Sequence, residues 1–217
     1  MCHSYFIEDS QPLKPYVRSA EQSPLTERMV HALGCPFTGF GTAKPGDIVP
    51  AIASLPSGTL SVFPMRWGQK VAGAAAPVDS VYSEAASMSQ VFGDSWKRRR
   101  CILPASYYFD SDHLRHADGT VTRGDRYAVQ PAGEDTAWLA GIYSIEEFRG
   151  LKYPAFSILT RPASPSLQIL HERMPLLLPP SLIGPWISPD SHPDLLVPMA
   201  VTDVFVEKSC VVAFRSA

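Results

Sequence analysis

Trp138-Leu139-Ala140-Gly141-Ile142-Tyr143 and Ala155-Phe156-Ser157-Ile158-Leu159-Thr160 are two short, apolar runs rich in β-formers. With Tyr127-Ala128-Val129 just upstream they make three strand candidates at hairpin-like spacing. Downstream, a short helix is expected around Ser166–Leu170, a strand at Leu176–Leu178 ended by two prolines, and more β in Val204-Phe205-Val206 and Cys210-Val211-Val212-Ala213-Phe214. Upstream, residues 111–125 read as a polar surface hairpin or loop, and Cys101-Ile102-Leu103-Pro104-Ala105 as a buried strand with Tyr107–Asp110 just past it. Residues 83–92 read as a helix, Ile48-Val49 and Leu60–Phe63 as strands, and residues 3–7 as a short strand. Ser23 and Pro24 have the residue types of an N-cap and first helical position, so a helix should bury Leu25, Met29, Val30 and Leu33 and stop near Gly34. With 21 prolines and 14 glycines the chain is turn-rich, which favours a β-dominated or α+β fold over a helical bundle. No repeat or linker divides it, so one domain over 1–217 is expected.

The chain has 217 residues, 45% hydrophobic and 18% charged, enough for a substantial core. No apolar run approaches the roughly 18–20 residues of a membrane span, and no basic-plus-apolar leader is visible. Cys2, Cys35, Cys101 and Cys210 show neither paired nor metal-type spacing, which fits a reducing cytosol. The six histidines are scattered and no zinc motif is present, so no metal is expected. A net charge of −2 argues against coating nucleic acid through bulk charge, though not against a local basic cleft.

Met1-Cys2 carries the chemistry. Removal of Met1 by methionine aminopeptidase leaves Cys2 with a free α-amine and a thiol on adjacent carbons. This 1,2-aminothiol condenses with an aldehyde to an imine and closes a thiazolidine ring. Ordinary pKa values of about 7.7–8.0 and about 8.5 leave minor amounts of both reactive forms at neutral pH. The plain alternative is a cysteine in a frayed terminus.

Four pieces, in order, resemble the SRAP family (SOS-response-associated peptidases, the abasic-site-processing proteins). They are Met1-Cys2; Pro64-Met65-Arg66-Trp67-Gly68; Arg98-Arg99-Arg100 running into Cys101–Ala105; and His171-Glu172-Arg173-Met174-Pro175-Leu176-Leu177-Leu178. The resemblance spans nearly the whole chain. It implies an α+β fold built on a curved antiparallel, β-barrel-like sheet with flanking helices and a positively charged groove for single-stranded DNA. It also implies a reaction in which Cys2 traps the aldehyde of an abasic site as a thiazolidine, and a self-cleavage that exposes Cys2. That chemistry needs no metal or organic cofactor. The expected partner is single-stranded DNA containing abasic sites, with no membrane, and the expected state is a cytoplasmic monomer.

The resemblance assigns roles residue by residue. Cys2 matches the nucleophile, and His171 the histidine that moves protons as general acid/base; its structural alternative is capping a helix end. Arg173 is implied to hold a phosphate, or else to form a buried salt bridge. Asp110, nine residues after Cys101, stands where the family has Glu; it would stabilise the imine, unless it is an ordinary surface Asp or Asp112 is the true equivalent. Thr160, eleven residues before His171, matches a threonine beside the active site. Trp67 is implied to stack at the DNA groove or pack in the core, with Arg66 beside it. The family's Asn-Ala-Arg-x-Glu run falls on Ser80, Val81, Tyr82, Ser83 and Glu84, keeping only the glutamate. The family's early arginine is missing too, since His3-Ser4 follows Cys2. Two phosphate-binding cations are therefore absent, which should weaken binding and flatten its salt dependence; His3 and Tyr82 are candidates to replace them by stacking. Strand alternation would send Arg98, Arg99 and Arg100 to opposite faces, and the family uses this run mainly as structure. Cys101 and Cys210 read as core residues. Two other readings stay open: an N-terminal-nucleophile amidohydrolase, and a degenerate member that binds without chemistry.

Overall fold

The computed structural model describes residues 4–55, 57–115 and 118–209. The chain opens with β1 (Ser4–Ile7), followed by α1 (Lys14–Glu21) and α2 (Pro24–Leu33). The Ser23 hydroxyl accepts the Leu25 amide at 3.3 Å, Pro24 lies in the first turn, and Gly34 ends α2 at φ 66°. Met29 is fully buried, with Leu25, Val30 and Leu33 half-buried around it. Helix α1 lies in a stretch whose polarity hides it; Leu13, Val17 and Ala20 still fall on one helical face and are buried.

Strands β2 (Gly41–Ala43), β3 (Ile48–Ser54), β4 (Leu60–Trp67) and β5 (Ser80–Tyr82) come next, then α3 (Ser83–Ala86) and α4 (Gly93–Arg98). They are followed by β6 (Arg100–Ala105), β7 (Tyr107–Arg115), β8 (Val121–Pro131), β9 (Ala137–Phe148), β10 (Leu151–Pro162) and β11 (Arg173–Pro175). Short helices α5 (Ile183–Ile187) and α6 (Pro193–Leu196) lead to β12 (Val204–Lys208).

Five strands, in the order β10-β4-β3-β6-β9, close on themselves because β9 also pairs with β10. Four of the five pairings are antiparallel, but β4 and β10 run parallel, as does β5 along β10. The expected antiparallel, barrel-like sheet is there as a closed barrel with one parallel pair, and parity is the reason for that pair. Directions cannot alternate all the way round a ring with an odd number of strands. At Gly141 of β9 the ring is tight: a Cβ there would lie 3.0 Å from Cys101 Sγ and 3.1 Å from the Ser157 carbonyl. The second sheet, β12-β8-β7-β1-β2, is antiparallel throughout. It packs on the barrel through one core cluster, in which Tyr5, Tyr108 and Val129 share space with Trp67, Phe156, Leu170 and Met174.

Several local expectations change. The helix expected over 83–92 stops at Ala86, and the Ser89 hydroxyl accepts the amides of Val91 and Phe92, which starts a new turn before α4. Residues 165–170 are successive turns rather than a helix. Leu176–Leu178 forms no strand of its own because it straddles two others. Leu176 donates to the Leu159 carbonyl of β10, and Leu178 to the Trp138 carbonyl of β9. Of the three arginines, Arg98 and Arg99 belong to the end of α4, where Arg99 pairs with Asp94 at 2.8 Å. Arg100 is buried and donates to the carbonyls of Trp96, Trp186 and Ser188, tying α4 to α5. Burial pulls its guanidinium down to about 10. Residues 210–214, expected as strand, lie outside the described residues. Among the described residues no helix is long and apolar enough to cross a membrane.

Candidate functional site

The C-terminal end of β10 positions the site. Ile158, Leu159 and Thr160 pair with Ser80, Val81 and Tyr82 of β5 on one side, while Thr160, Arg161 and Pro162 pair with Pro175, Met174 and Arg173 of β11 on the other. Three strands therefore meet there, and α3 adds Glu84 directly after β5.

Arg173 is the hub. Its Nη1 and Nη2 donate to Glu84 Oε1 and Oε2 at 2.7 and 2.8 Å, and Nη2 also donates to the Thr160 carbonyl at 2.7 Å. Its guanidinium lies 4.2 Å above the Tyr82 ring, whose exposure is 48%. This fork holds the Glu84 carboxyl down to about 2. Of the two roles foreseen for Arg173, its contacts display the salt bridge, to a Glu84 carboxylate that is half exposed. Thr160 is buried beside it, 3.4 Å from Nη2. The Ser80 hydroxyl donates to Asp79 Oδ1 at 3.2 Å.

His171 follows the run of turns, its amide donating to the Leu167 carbonyl at 3.0 Å. Its Nδ1 accepts the Arg173 amide at 2.9 Å, so in the neutral ring the proton is on Nε2. His171 and Arg173 are thus locked together through the backbone as well as by sequence.

Asp110 is 7% exposed on β7 and accepts the Ser111 amide at 2.9 Å, so it is no ordinary surface residue. Alternation puts it on the face that carries Tyr108 into the core shared with Leu170 and Met174, which flank His171 and Arg173 in sequence. Its neighbour Phe109 faces Ser4 of β1. Asp112 Oδ1 is buried without a hydrogen-bond partner. Cys2 and His3 lie outside the described residues.

One expected DNA contact is corrected. Trp67 is fully buried, its ring lying 5.1 Å from Tyr5 and 5.9 Å from Phe156 between centroids, and its Nε1 donates to the Asp79 carbonyl at 2.9 Å. It is a core residue with no face open to a base. Arg66, its half-buried neighbour on β4, points to the other side by strand alternation and lies by Cys35 and Tyr153. Burial raises both of those groups, Tyr153 to about 12, with Glu146 accepting its hydroxyl.

The sequence reading passed over Arg126 of β8. Its Nη2 donates to the Ser4 hydroxyl at 2.9 Å, and its guanidinium lies 3.4 Å over the Phe109 ring. It sits beside the first described residue of β1, a closeness that only strand pairing reveals. An apolar cavity of about 330 Å³ lies elsewhere, between Leu25, Leu55, Phe63 and Tyr153, and none of the hub residues lines it. No group of three His, Cys, Asp or Glu among the described residues could hold a metal ion.

A family model described as SOS response associated peptidase (SRAP) matches residues 41–208. Among solved structures, a Bacteroides thetaiotaomicron protein superposes with a TM-score of 0.67 at 17% identity, covering 95% of this chain and 91% of that one. A Bordetella bronchiseptica protein gives 0.66 at 18% identity, with 96% and 99% covered. A phage-related protein from the same organism gives 0.66 at 15%, with 96% and 94% covered. At these identities the likeness is one of fold. No curated protein matches in sequence.

Proposed function

This chain belongs to the SOS response associated peptidase family, and on that premise we propose that it captures abasic sites in single-stranded DNA through Cys2 once Met1 has been removed. At the family level the role is DNA-damage-associated recognition of abasic sites. The covalent step is our reading for this chain. The α-amine of Cys2 adds to C1′ of the ring-opened sugar, and the carbinolamine loses its hydroxyl as water to give an imine. The thiol sulfur then adds to the same carbon, its proton ending on the ring nitrogen, so one water leaves for each thiazolidine formed. No oxidant or reductant is consumed.

His171 is the residue to serve the departing oxygen. With Nδ1 engaged by the Arg173 amide, proton movement runs through Nε2. Asp110 would steady the cationic imine from β7. Thr160, Ser80, Tyr82 and Glu84 would shape the wall on which the strand lies. The observation that carries this reading is the convergence of β5, β10, β11 and the His171 turn at one sheet end. Exposure of Cys2 by the chain's own cleavage, the activity in the family's name, belongs to the same proposal.

The test is incubation with single-stranded DNA carrying an abasic site made by uracil glycosylase. A heat-stable adduct is expected with the processed protein and none with Cys2→Ala or with protein whose intact mass shows that Met1 is retained. An adduct that survives Cys2→Ala would overturn the proposal.

A further inference from the structure

The cavity beside the N-terminal half of β10 has a structural origin. β4 and β10 run parallel, but among the described residues they pair only at Arg66 with Ala155 and Trp67 with Phe156. Upstream of that point β4 stays with β3 and β10 with β9, so two hairpins part and the barrel opens along its parallel seam. The parting holds a cavity of about 330 Å³. That is near the lower end of the roughly 300–1,000 Å³ of small-molecule sites. Pro154 on its wall is six residues before Thr160, about 20 Å along the strand from the Arg173 hub.

Alternation decides what faces into it. Phe63 and Met65 are in step with Trp67 on β4, and Lys152 and Pro154 with Phe156 on β10. Tyr143 and Ile145 of β9 stand opposite Phe156 and Pro154 and share their side. Leu25 of α2 and Leu55 after β3 complete an apolar wall. Water finds few partners there: the Ser54 hydroxyl is donated to the Leu55 carbonyl at 3.0 Å, and the Tyr153 hydroxyl to Glu146 at 2.9 Å. Burial raises the Tyr143 phenol, which stays neutral. Ile145 and Leu55 are exposed at the mouth, apolar surface that an apolar occupant would take out of water. Among the described residues that line the cavity, Lys152 alone is charged. It is exposed and stands opposite Glu147 of β9, yet no ion pair of its ammonium is found among the described residues.

We infer that this cavity binds a small apolar carboxylate, a short acyl chain or single ring whose body fills the seam and whose anionic end meets Lys152 at the mouth. The wall dictates that chemistry. An apolar body covers Leu25, Phe63, Met65 and Ile145, and a lone cation at the rim selects an anionic end over a neutral or cationic one. The site is separate from the proposed capture of abasic sites and does not depend on it.

The probe is 4-phenylbutanoate, with 4-phenylbutan-1-ol as its neutral counterpart, and the readout is the methionine methyl resonances of the full chain. Titration with the carboxylate should shift Met65 saturably and leave Met174, beside the hub, in place. The alcohol should bind the same cavity about two- to fivefold more weakly, the contribution of one exposed ion pair. Lys152→Met should lower carboxylate affinity by that same factor and leave the alcohol no weaker. Ile145→Glu, which puts a like charge at the mouth, should weaken the carboxylate more than the alcohol. Both substituted residues are exposed, so both variants should melt with the parent. No saturation by about 10 mM, weak even for so small a ligand, would overturn the inference. So would a shift at Met174 without one at Met65, an alcohol bound as tightly as the carboxylate, or a carboxylate indifferent to Lys152→Met.

Discussion

Arg173 and Glu84 form a pair whose strength can be read from acid. The Glu84 carboxyl is pulled from its ordinary 4.5 to about 2, chiefly by the Arg173 hydrogen bonds. A carboxyl depressed in the folded state adds stability that is present above its unfolded value and lost as pH falls through the folded one. The window is therefore about pH 4.5 to 2. Glu84's side chain is 51% exposed, so solvent screening limits the gain to about 0.5–1 kcal/mol. Glu84→Gln should be less stable by that amount at neutral pH, and the gap should close toward pH 2 in urea titrations; a gap constant with pH would contradict the pairing. The same substitution leaves Arg173 without its anion, so affinity for single-stranded DNA should rise at low salt. At this scale the sequence was partly legible. It offered Arg173 as phosphate holder or salt bridge, and only the path of α3 past β10 brings up Glu84 as the partner of that bridge. Trp67 was open in the same way, since β4's alternation sends either of two neighbouring residues inward.

Among the elements, the closing pair of the barrel carries the tightest constraint. β9 runs between β6 and β10, and Gly141 is paired with Cys101 on one side and Ile158 on the other. Its missing side chain lets the strands close, since a Cβ would meet Cys101, Leu103 and the Ser157 carbonyl at 3.0–3.1 Å. Gly141→Ala would require shifts of a few tenths of an ångström, while Gly141→Val adds two methyl groups with nowhere to go. We expect the valine variant to lose about 1–3 kcal/mol or more in chemical denaturation; a variant as stable as the parent would show that the ring yields there. Capped and patterned elements were readable in advance, α2 from Ser23-Pro24 to Gly34 above all. α1 was not, because three buried apolar residues in a polar stretch give too little periodic signal. The single helix drawn over 83–92 failed at Ser89, whose hydroxyl offers the backbone an alternative to the helix. The parallel β4–β10 pairing follows from ring closure, a property of five strands together, and no one strand records it.

For the molecule as a whole, the question is whether the second sheet is a separate layer or part of the barrel's stability. The main cluster joins Tyr5 and Ile7 of β1, Tyr108 of β7 and Val129 of β8 to Trp67, Phe156, Leu139 and Met174 of the barrel sheet. Tyr5 is the closest link, with its ring 5.1 Å from that of Trp67 and no exposure of its own. It is also three residues beyond Cys2 in the chain, so the packing that holds β1 is what would bring the aminothiol to the site. The resemblance placed Trp67 near the chemistry, and its burial makes that link indirect, through β1 and not through a stacked base. If the two sheets share one core, Tyr5→Ala should cost about 3–5 kcal/mol, as other buried aromatic truncations do. It should lower one unfolding transition, seen alike by tryptophan fluorescence and by far-ultraviolet circular dichroism. Trp67, Trp96 and Trp186 are all almost wholly buried in the barrel or against it, so fluorescence reports that part of the fold while dichroism reports both sheets. Two transitions, with the fluorescence midpoint unmoved by Tyr5→Ala, would mean that the barrel stands without β1. The adduct yield of the same variant should then fall while the barrel stays folded, because the strand leading to Cys2 would have lost its anchor.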